Sequence, residues 1–176
     1  MPLNIPNPNL CLAAGRTRVD ISLTAPAGFH TGEGNLNVPL SALSNAIFAG
    51  HALEMSSFKL QPAASDEADV TPLASTVKVN MPGLENYEAN AVLFRSITNG
   101  VPDADDAAFA AVGEKGVVSY WWKREYKIAT VDWAAADKGW IYEVRSDHPI
   151  PGELSGAITA QVPIKVLRCR PITITA

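Results

Sequence analysis

Charged side chains and cysteines are scarce in this sequence of 176 residues. Charged residues make up 18% of the chain, whereas hydrophobic residues make up 47%. A chain this apolar is not typical of a disordered protein, and it is long enough for one domain with a sizeable core. No stretch approaches the ~18 uninterrupted apolar residues of a membrane span, and the start lacks the basic flank and apolar run of a signal peptide. We therefore expect a soluble protein of cytoplasmic origin with no membrane partner.

The sequence also lacks a basic stripe of the kind that grips nucleic acid. The formal net charge is −4, and residues 61–112 carry eight acidic side chains against two basic ones, a local balance of −6. A groove that binds phosphate needs clustered lysine and arginine. The charge distribution therefore argues against tight binding of nucleic acid.

The two cysteines, Cys11 and Cys169, stand near opposite ends of the chain. A disulfide between them requires the termini to meet in space, whereas a reducing compartment favours two thiols. The sequence leaves their pairing open.

No complete catalytic or metal-binding motif is present. The histidines His30, His51 and His148 are not at metal-ligand spacing to another histidine or cysteine. Ser56–Lys59 has the S-x-x-K spacing of penicillin-recognising enzymes, but the companion motifs of those enzymes are missing. We expect no enzyme activity, no cofactor and no metal.

Proline and glycine, with 13 and 12 copies, indicate frequent turns between β-strands. Prolines 2, 6 and 8 exclude a helix at the start, so residues 1–15 are predicted to form an extended arm. Residues 16–176 are predicted to form a single β domain, in which the polar stretch 61–75 is a long acidic loop.

Hydrophobic periodicity predicts an all-β sandwich or barrel with minor helix. Alternation in Arg16–Leu23 predicts a strand with one polar face. Helices are predicted within Leu40–Leu53 and at Ala107–Val112, where acids precede alanines and Gly113 follows. Further strands are predicted at 55–60, 76–81, 90–97, 116–122, 128–131, 140–145, 155–167 (with a break at Pro163) and 169–175.

The order of elements in the second half of the chain is distinctive. A strand ending in Ala91–Arg95 precedes the acidic helix Asp103–Val112 and the hairpin Gly116–Trp122. The segment Val131–Val144 and the β-rich run Ile158–Val166 follow. Over roughly residues 76–176 this order resembles the major tail protein, or tail tube protein, of long non-contractile-tailed bacteriophages, particularly those infecting actinobacteria.

The resemblance implies a β-sandwich or half-barrel subunit with one or two flanking helices. Six copies are expected to form a ring, and stacked rings a tube around the tape-measure protein. Expected partners also include the tail terminator and the distal tail or baseplate proteins, while DNA passes through during ejection without specific binding. The expected location is the virion tail, after assembly in the host cytoplasm.

Two groups of residues are candidates for self-assembly or for lining the lumen. Ordering of the arm on a neighbouring ring would use its apolar side chains, Leu3, Ile5 and Leu10. Carboxylates on the lumen would repel phosphate and let DNA slide, and the candidates are Asp66, Glu67, Asp69, Glu85 and Glu88. A solvated acidic loop explains the same charge pattern equally well.

Other functional classes remain open at this stage. A capsid decoration or head-completion protein also uses a small β-rich domain. A monomeric ligand-binding β-barrel would need a large apolar pocket with a few convergent polar groups. A hydrolase would need a nucleophile and a base within reach of one another, and no pair in the sequence suggests itself.

Overall fold

The computed structural model describes residues 15–32, 34–69, 80–82, 85–98, 101–102, 104–152 and 157–176. The described residues fall into two compact units. The first unit contains the described residues up to Gly50, with Tyr120–Tyr142 and Cys169–Ala176; the second contains those of His51–Ser119 and Glu143–Arg168. The predicted arm at residues 1–15 stays a prediction, because residues 1–14 lie outside the described residues.

The described part of the chain consists mostly of β-strands and has one short α-helix, α1 (Ala107–Val112). Single 3-10 turns occur at Leu40–Leu43 and Ala104–Asp106. This confirms the predicted all-β fold with minor helix. The strands are β1 (Arg18–Ser22), β2 (Leu36–Pro39), β3 (Ile47–Phe48), β4 (Lys59–Ala63), β5 (Glu67–Asp69), β6 (Asn80–Pro82), β7 (Asn86–Phe94), β8 (Ile97–Thr98), β9 (Val101–Pro102), β10 (Val118–Arg124), β11 (Lys138–Ser146), β12 (Ile150–Pro151), β13 (Thr159–Val162) and β14 (Ile164–Thr175).

The larger sheet has six strands in the order β2-β14-β11-β10-β1-β3. Strand β1 pairs antiparallel with β10, so that Asp20 lies opposite Trp122 and Ile21 opposite Trp121. Strands β2 and β14 pair in parallel, with Leu36 opposite Ile172. The sheet is therefore mixed, because β1 and β10 pair antiparallel whereas the outer strand β2 pairs in parallel with β14.

Strand β1 is buried on both faces. Val19 and Ile21 are buried, as the alternating pattern predicts, but so are Arg18, Asp20 and Ser22. The predicted strand is therefore confirmed, and its polar side chains are buried together with its apolar ones. Periodicity predicts a strand here, but it does not reveal that the polar side chains are paired with partners elsewhere in the chain.

The second unit contains a four-stranded sheet in the order β12-β13-β7-β4. Side chains alternate along β7, where Ala91 and Leu93 are fully buried while Glu88 and Phe94 are exposed on the other face. This sheet therefore has one buried face and one open face.

Helix α1 agrees with its prediction. Ala108, Ala111 and Val112 are buried, and the helix ends where the Gly113 N–H donates to the Phe109 carbonyl oxygen at 2.7 Å. The predicted break at Pro163 is also confirmed, because this residue separates β13 from β14.

Several local predictions differ from the structure. Only Lys59 and Leu60 of the predicted strand 55–60 lie in a strand, at the start of β4, because the preceding residues form a turn in which the Phe58 N–H donates to the Glu54 carbonyl oxygen. Leu40–Leu53 is not a helix, because Ile47 pairs with Ile21 as part of β3 and only a 3-10 turn forms before it. Residues 128–131 are not a strand, since the Val131 N–H donates to the Ile128 carbonyl oxygen in a turn. The predicted loop 61–75 begins with strand residues, because β4 pairs with β7 as far as Ala63 and β5 pairs with β6. Residues 70–79 lie outside the described part.

Candidate assembly surfaces

Three of the predicted acidic residues lie in or next to the paired strands β4 and β7, with Glu88 inside β7, Asp66 shortly after β4 and Glu85 directly before β7. The exposed carboxylate of Asp66 accepts a hydrogen bond from Asn86 Nδ2 at 2.8 Å. Glu88 lies opposite Gln61, whose Nε2 donates to Glu88 Oε2 at 3.2 Å. Lys59 Nζ is 3.5 Å from the same oxygen.

Glu85 completes this group directly before β7. Its carboxylate accepts a hydrogen bond from the Tyr87 hydroxyl at 2.5 Å. Asp66, Glu85 and Glu88 are exposed, and we refer to the three as the acidic edge. Only one lysine, Lys59, pairs with these carboxylates among the described residues. The acidic edge therefore offers exposed negative charge on the second unit.

The other predicted site residues cannot be placed in the same way. Glu67 and Asp69 belong to β5, but their side chains are outside what the structure describes. Leu3, Ile5 and Leu10 lie outside the described residues. The structure thus brings together three of the eight predicted residues.

The open face of the four-stranded sheet changes from polar to apolar along β7. Phe94 lies opposite Thr159 of β13, and the next residue, Arg95, donates its N–H to the Ile158 carbonyl oxygen at 2.8 Å. The exposed apolar side chains near this end of β7 and in the strands around it are Phe94, Ile97, Val101, Ile150 and Ile158. We call these five residues the apolar patch. Sequence periodicity does not identify them, because they come from separate strands and, for Ile158, from the residue before β13.

Arg95 holds α1 close to the end of β7. Its Nε and Nη2 donate to the carboxylate of Asp106 at 2.9 and 2.8 Å, and its guanidinium lies 3.6 Å from the ring centroid of Phe109. Asp106 also accepts a hydrogen bond from the Ser96 N–H at 3.2 Å. Asp106 occupies the N-cap position of α1, but its side chain makes no capping hydrogen bond and is instead buried against Arg95.

The same contacts set the charge state of Asp106. The hydrogen bonds from Arg95 lower the pKa of this carboxyl; burial raises it, and the Ser96 N–H and the Arg95 charge lower it further. The net result is a pKa below the ordinary value of 3.8.

The first unit contains a buried ion pair on β1. Arg18 Nε and Nη2 donate to the two carboxylate oxygens of Asp20 at 2.7 and 3.0 Å, and Trp133 Nε1 donates to the same carboxylate at 2.8 Å. The Asp20 side chain is 3% exposed. Arg18 Nη1 also donates to the carbonyl oxygen of Val131 at 3.0 Å. The pair therefore ties β1 to the irregular segment that ends at Trp133.

A second buried arginine, Arg124 of β10, donates hydrogen bonds to the same irregular segment. Arg124 Nη1 donates to the Asp132 carbonyl oxygen at 2.9 Å, and Nη2 donates to those of Val131 and Ile128 at 2.6 and 3.2 Å. The guanidinium is balanced by Asp137, whose Oδ2 lies 2.8 Å from Nη1. We call the Arg18 and Arg124 side chains with their two carboxylates the arginine clamp.

Asp137 stays ionised within the arginine clamp. Burial raises the pKa of this carboxyl, but hydrogen bonds from Lys127, the Ala134 N–H and Arg124 outweigh burial and hold the pKa below 3.8. The clamp therefore combines two positive and two negative side chains in the interior of the first unit.

The clamped segment presents large apolar side chains to solvent. Tyr126, Ile128 and Val131 are 77%, 57% and 49% exposed, and we call these three residues the ledge. Tyr126 has a φ of 76°, in the left-handed region that bulky residues rarely adopt. The ledge was missed in the sequence because Ile128–Val131 reads as a strand, and no local pattern shows that arginines hold its carbonyl groups.

The described residues contain neither a candidate metal cluster nor a candidate membrane-spanning helix. No three side chains of the histidine, cysteine, aspartate or glutamate type come together there as a metal site would require. In that same part of the chain, no helix has the length and apolar character needed to cross a membrane.

Comparison with known proteins identifies a family. Residues 7–168 match the family model described as phage tail tube protein. Among solved structures, the chain is similar to one from the "Cryo-EM structure of the anti-feeding prophage (AFP) baseplate, 6-fold symmetrised", with 9% sequence identity and a TM-score of 0.48 over 92% of this chain and 95% of that one. The search of curated proteins produced no match.

The arginine clamp predicts that substitution of two aspartates that contact the same guanidinium lowers the free energy of unfolding by very different amounts. Asp20→Asn leaves Arg18 buried without its main counter-charge and should lower the free energy of unfolding by about 3–5 kcal/mol. The control is Asp132→Asn, because Asp132 lies 3.0 Å from Arg18 Nη1 but is 91% exposed; this change should cost about 1 kcal/mol or less. Urea unfolding of both variants measures the difference, and equal losses would contradict the role of burial.

The buried Arg95–Asp106 pair predicts a dependence on pH. Because the pKa of folded Asp106 is below 3.8, the unfolded chain takes up its proton at a higher pH than the folded chain does. The stabilisation is therefore complete above that ordinary pKa and is lost as pH falls through the folded pKa. Asp106→Asn should be less stable than the wild type at pH 7, and the difference should shrink on acidification.

Urea unfolding at pH 7, 5 and 3 tests this dependence. The neighbouring Asp105→Asn serves as the control, because Asp105 is exposed. A stability difference between wild type and Asp106→Asn that stays constant down to pH 3 would show that the ion pair does not stabilise the fold.

Proposed function

This chain belongs to the phage tail tube protein family, and from that membership we propose that its copies assemble into stacked hexameric rings that form the tube of a phage tail. The family match over residues 7–168 carries this proposal. The chain is accordingly a structural protein of the tail, and we propose that it has no enzymatic role. The proposed tube would conduct DNA during ejection.

The apolar patch on the second unit supports an assembly role. Phe94, Ile97, Val101, Ile150 and Ile158 are between 37% and 65% exposed. Exposed large apolar side chains are typical of protein contacts, because their burial removes apolar area from water. In a closed ring the same patch of each copy would meet a different surface of its neighbour, which is how a heterologous contact closes.

Strand edges supply a second kind of joint. Strands β4 and β12 are the outer strands of the four-stranded sheet as the described residues define it, and β2 and β3 are the outer strands of the larger sheet. An outer strand presents backbone N–H and C=O groups to which another chain can pair. Such pairing supports stacking of rings, since a contact that does not close propagates a filament.

We propose that the acidic edge faces the lumen. Asp66, Glu85 and Glu88 are exposed, with Lys59 as the lysine beside them. Fixed negative charge along a channel repels the phosphate backbone, so DNA would pass without binding. The proposed partners are further copies of this chain, the tape-measure protein inside the tube, and the tail terminator and distal tail or baseplate proteins at its ends. The proposed place of assembly is the host cytoplasm.

Electron microscopy of the purified chain tests the assembly proposal. We expect rings or hollow tubes for the wild type, and monomers or irregular aggregates for Phe94→Ser, because this change removes the aromatic side chain of the apolar patch. The matched control is Leu167→Ser, since Leu167 is a 51% exposed apolar residue of the second unit that lies outside the patch. Circular dichroism confirms that both variants are folded.

Two results would contradict the proposal. A wild-type chain that remains monomeric at high concentration argues against a tube subunit. Tubes formed equally well by Phe94→Ser and Leu167→Ser argue against the apolar patch as a contact while leaving the tube itself intact.

A cryo-EM reconstruction of the tubes tests the position of the acidic edge. We expect Asp66, Glu85 and Glu88 on the inner wall. Tubes of the double variant Glu85→Lys/Glu88→Lys should then retain duplex DNA at low salt and release it as salt rises. Placement of all three carboxylates on the outer wall would exclude the lumen role.

A further inference from the structure

The ledge consists of three exposed apolar side chains on a segment whose backbone is bound by the arginine clamp. The arginine clamp binds the carbonyl oxygens of Ile128, Val131 and Asp132 from below, with donor–acceptor distances of 2.6 to 3.2 Å. Satisfying these carbonyl groups from the interior holds the backbone in place while the side chains of Tyr126, Ile128 and Val131 point into solvent. Single exposed apolar residues are common, but three within six positions of one rigid segment call for a partner.

Gly15, where the described part of the chain begins, lies directly beside the ledge. The Ala129 N–H donates to the Gly15 carbonyl oxygen at 2.8 Å, and Arg16 Nη1 donates to the Tyr126 carbonyl oxygen at 3.3 Å. Gly15, the residue that follows the N-terminal segment 1–14, is therefore held beside the ledge.

The composition of residues 1–14 complements an apolar surface. This segment contains no charged side chain, and it carries Leu3, Ile5, Leu10 and Leu12. Leu10 and Leu12 are five and three residues before Gly15, so an extended chain allows them to reach about 17 and 10 Å from it. Proline-rich segments also lose little conformational entropy on binding and pack well on aromatic rings such as that of Tyr126.

We propose that the ledge is the docking site of the chain's own N-terminal segment, with Leu10 and Leu12 packed against Tyr126, Ile128 and Val131. The short tether favours this occupant over the same segment of a second copy, because it gives an effective concentration in the millimolar range. The inference depends on the geometry of the first unit and does not require that tubes form.

Disulfide trapping in the full-length monomer tests this docking. The background is Cys169→Ser, which leaves Cys11 as the native thiol, and Ile128→Cys places a second thiol on the ledge. With glutathione disulfide as the oxidant, we expect an intramolecular disulfide, seen as a faster-migrating monomer on a non-reducing gel. Val131→Cys is the substitute site should the Ile128→Cys variant not fold.

Two controls separate docking from tethering. Adding Leu10→Ser and Leu12→Ser keeps the tether but removes the apolar contacts, and should slow disulfide formation about tenfold, equivalent to about 1.4 kcal/mol of docking free energy. Leu23→Cys replaces Ile128→Cys in the second control. Leu23 is 58% exposed and directly follows Ser22, the last residue of β1. It lies about 16 Å along the strand from Arg18, the first residue of β1, so it should cross-link slowly.

Three results would overturn the proposal. Equal rates with and without the two serine substitutions would mean that the segment does not dock. Equal rates at Ile128→Cys and Leu23→Cys would mean that it does not prefer the ledge. Cross-linked dimers whose yield rises with concentration would assign the ledge to the segment of a second copy. If the chain forms no tubes but cross-links as expected, the result contradicts only the proposed function and supports the docking of the N-terminal segment.

Discussion

Pairing of two buried arginines with two buried aspartates is the interaction on which the first unit depends. Arg18–Asp20 and Arg124–Asp137 are ion pairs in which all four side chains are less than 10% exposed. Such charges are tolerated in an interior only when each is matched by an opposite charge and by hydrogen bonds. The planar guanidinium group serves this purpose well, because Nη groups of Arg18 and Arg124 also donate to backbone carbonyl oxygens, whereas Arg124 Nε has no hydrogen-bond partner among the described residues. The irregular segment of residues 128–132 is shaped by these bonds.

The second unit also contains an ion pair between an arginine and a buried aspartate, Arg95–Asp106. Arg95 joins the end of β7 to α1 through the carboxylate of Asp106, and its guanidinium stacks on Phe109. The open face of the neighbouring sheet then runs from the acidic edge to the apolar patch. Buried ion pairs therefore position the framework, while the exposed side chains are left for contacts with other molecules. This separation suits a family whose members are structural.

Particular elements show how far sequence patterns reach. Helix α1 was predictable because acids, alanines and Gly113 act locally, and the break at Pro163 follows from its missing N–H group. The acidic edge was predictable as charge but not as a surface, since only the pairing of β4 with β7 brings Glu88 beside Gln61. The apolar patch was not predictable, because its residues are separated along the chain and no periodic pattern links them.

Strand β1 and the segment after Tyr126 show what the sequence hides. Alternation of polar and apolar residues predicts the position of β1 in the chain. The same pattern arises whether the polar side chains face solvent or are buried against a partner, so it does not distinguish the two cases. Asp20 finds Trp133 more than one hundred positions away, and only the folded chain reveals such a contact.

The sequence by itself determined the β-rich class, the short helix, the uneven distribution of acidic residues and the likeness to tail tube proteins, because these follow from local propensity and the order of elements. The tertiary structure alone decided that Arg18 and Asp20 are interior and that Tyr126, Ile128 and Val131 are exposed. The reason is physical: burial and ion pairing depend on which distant segments meet, and no local pattern encodes that meeting.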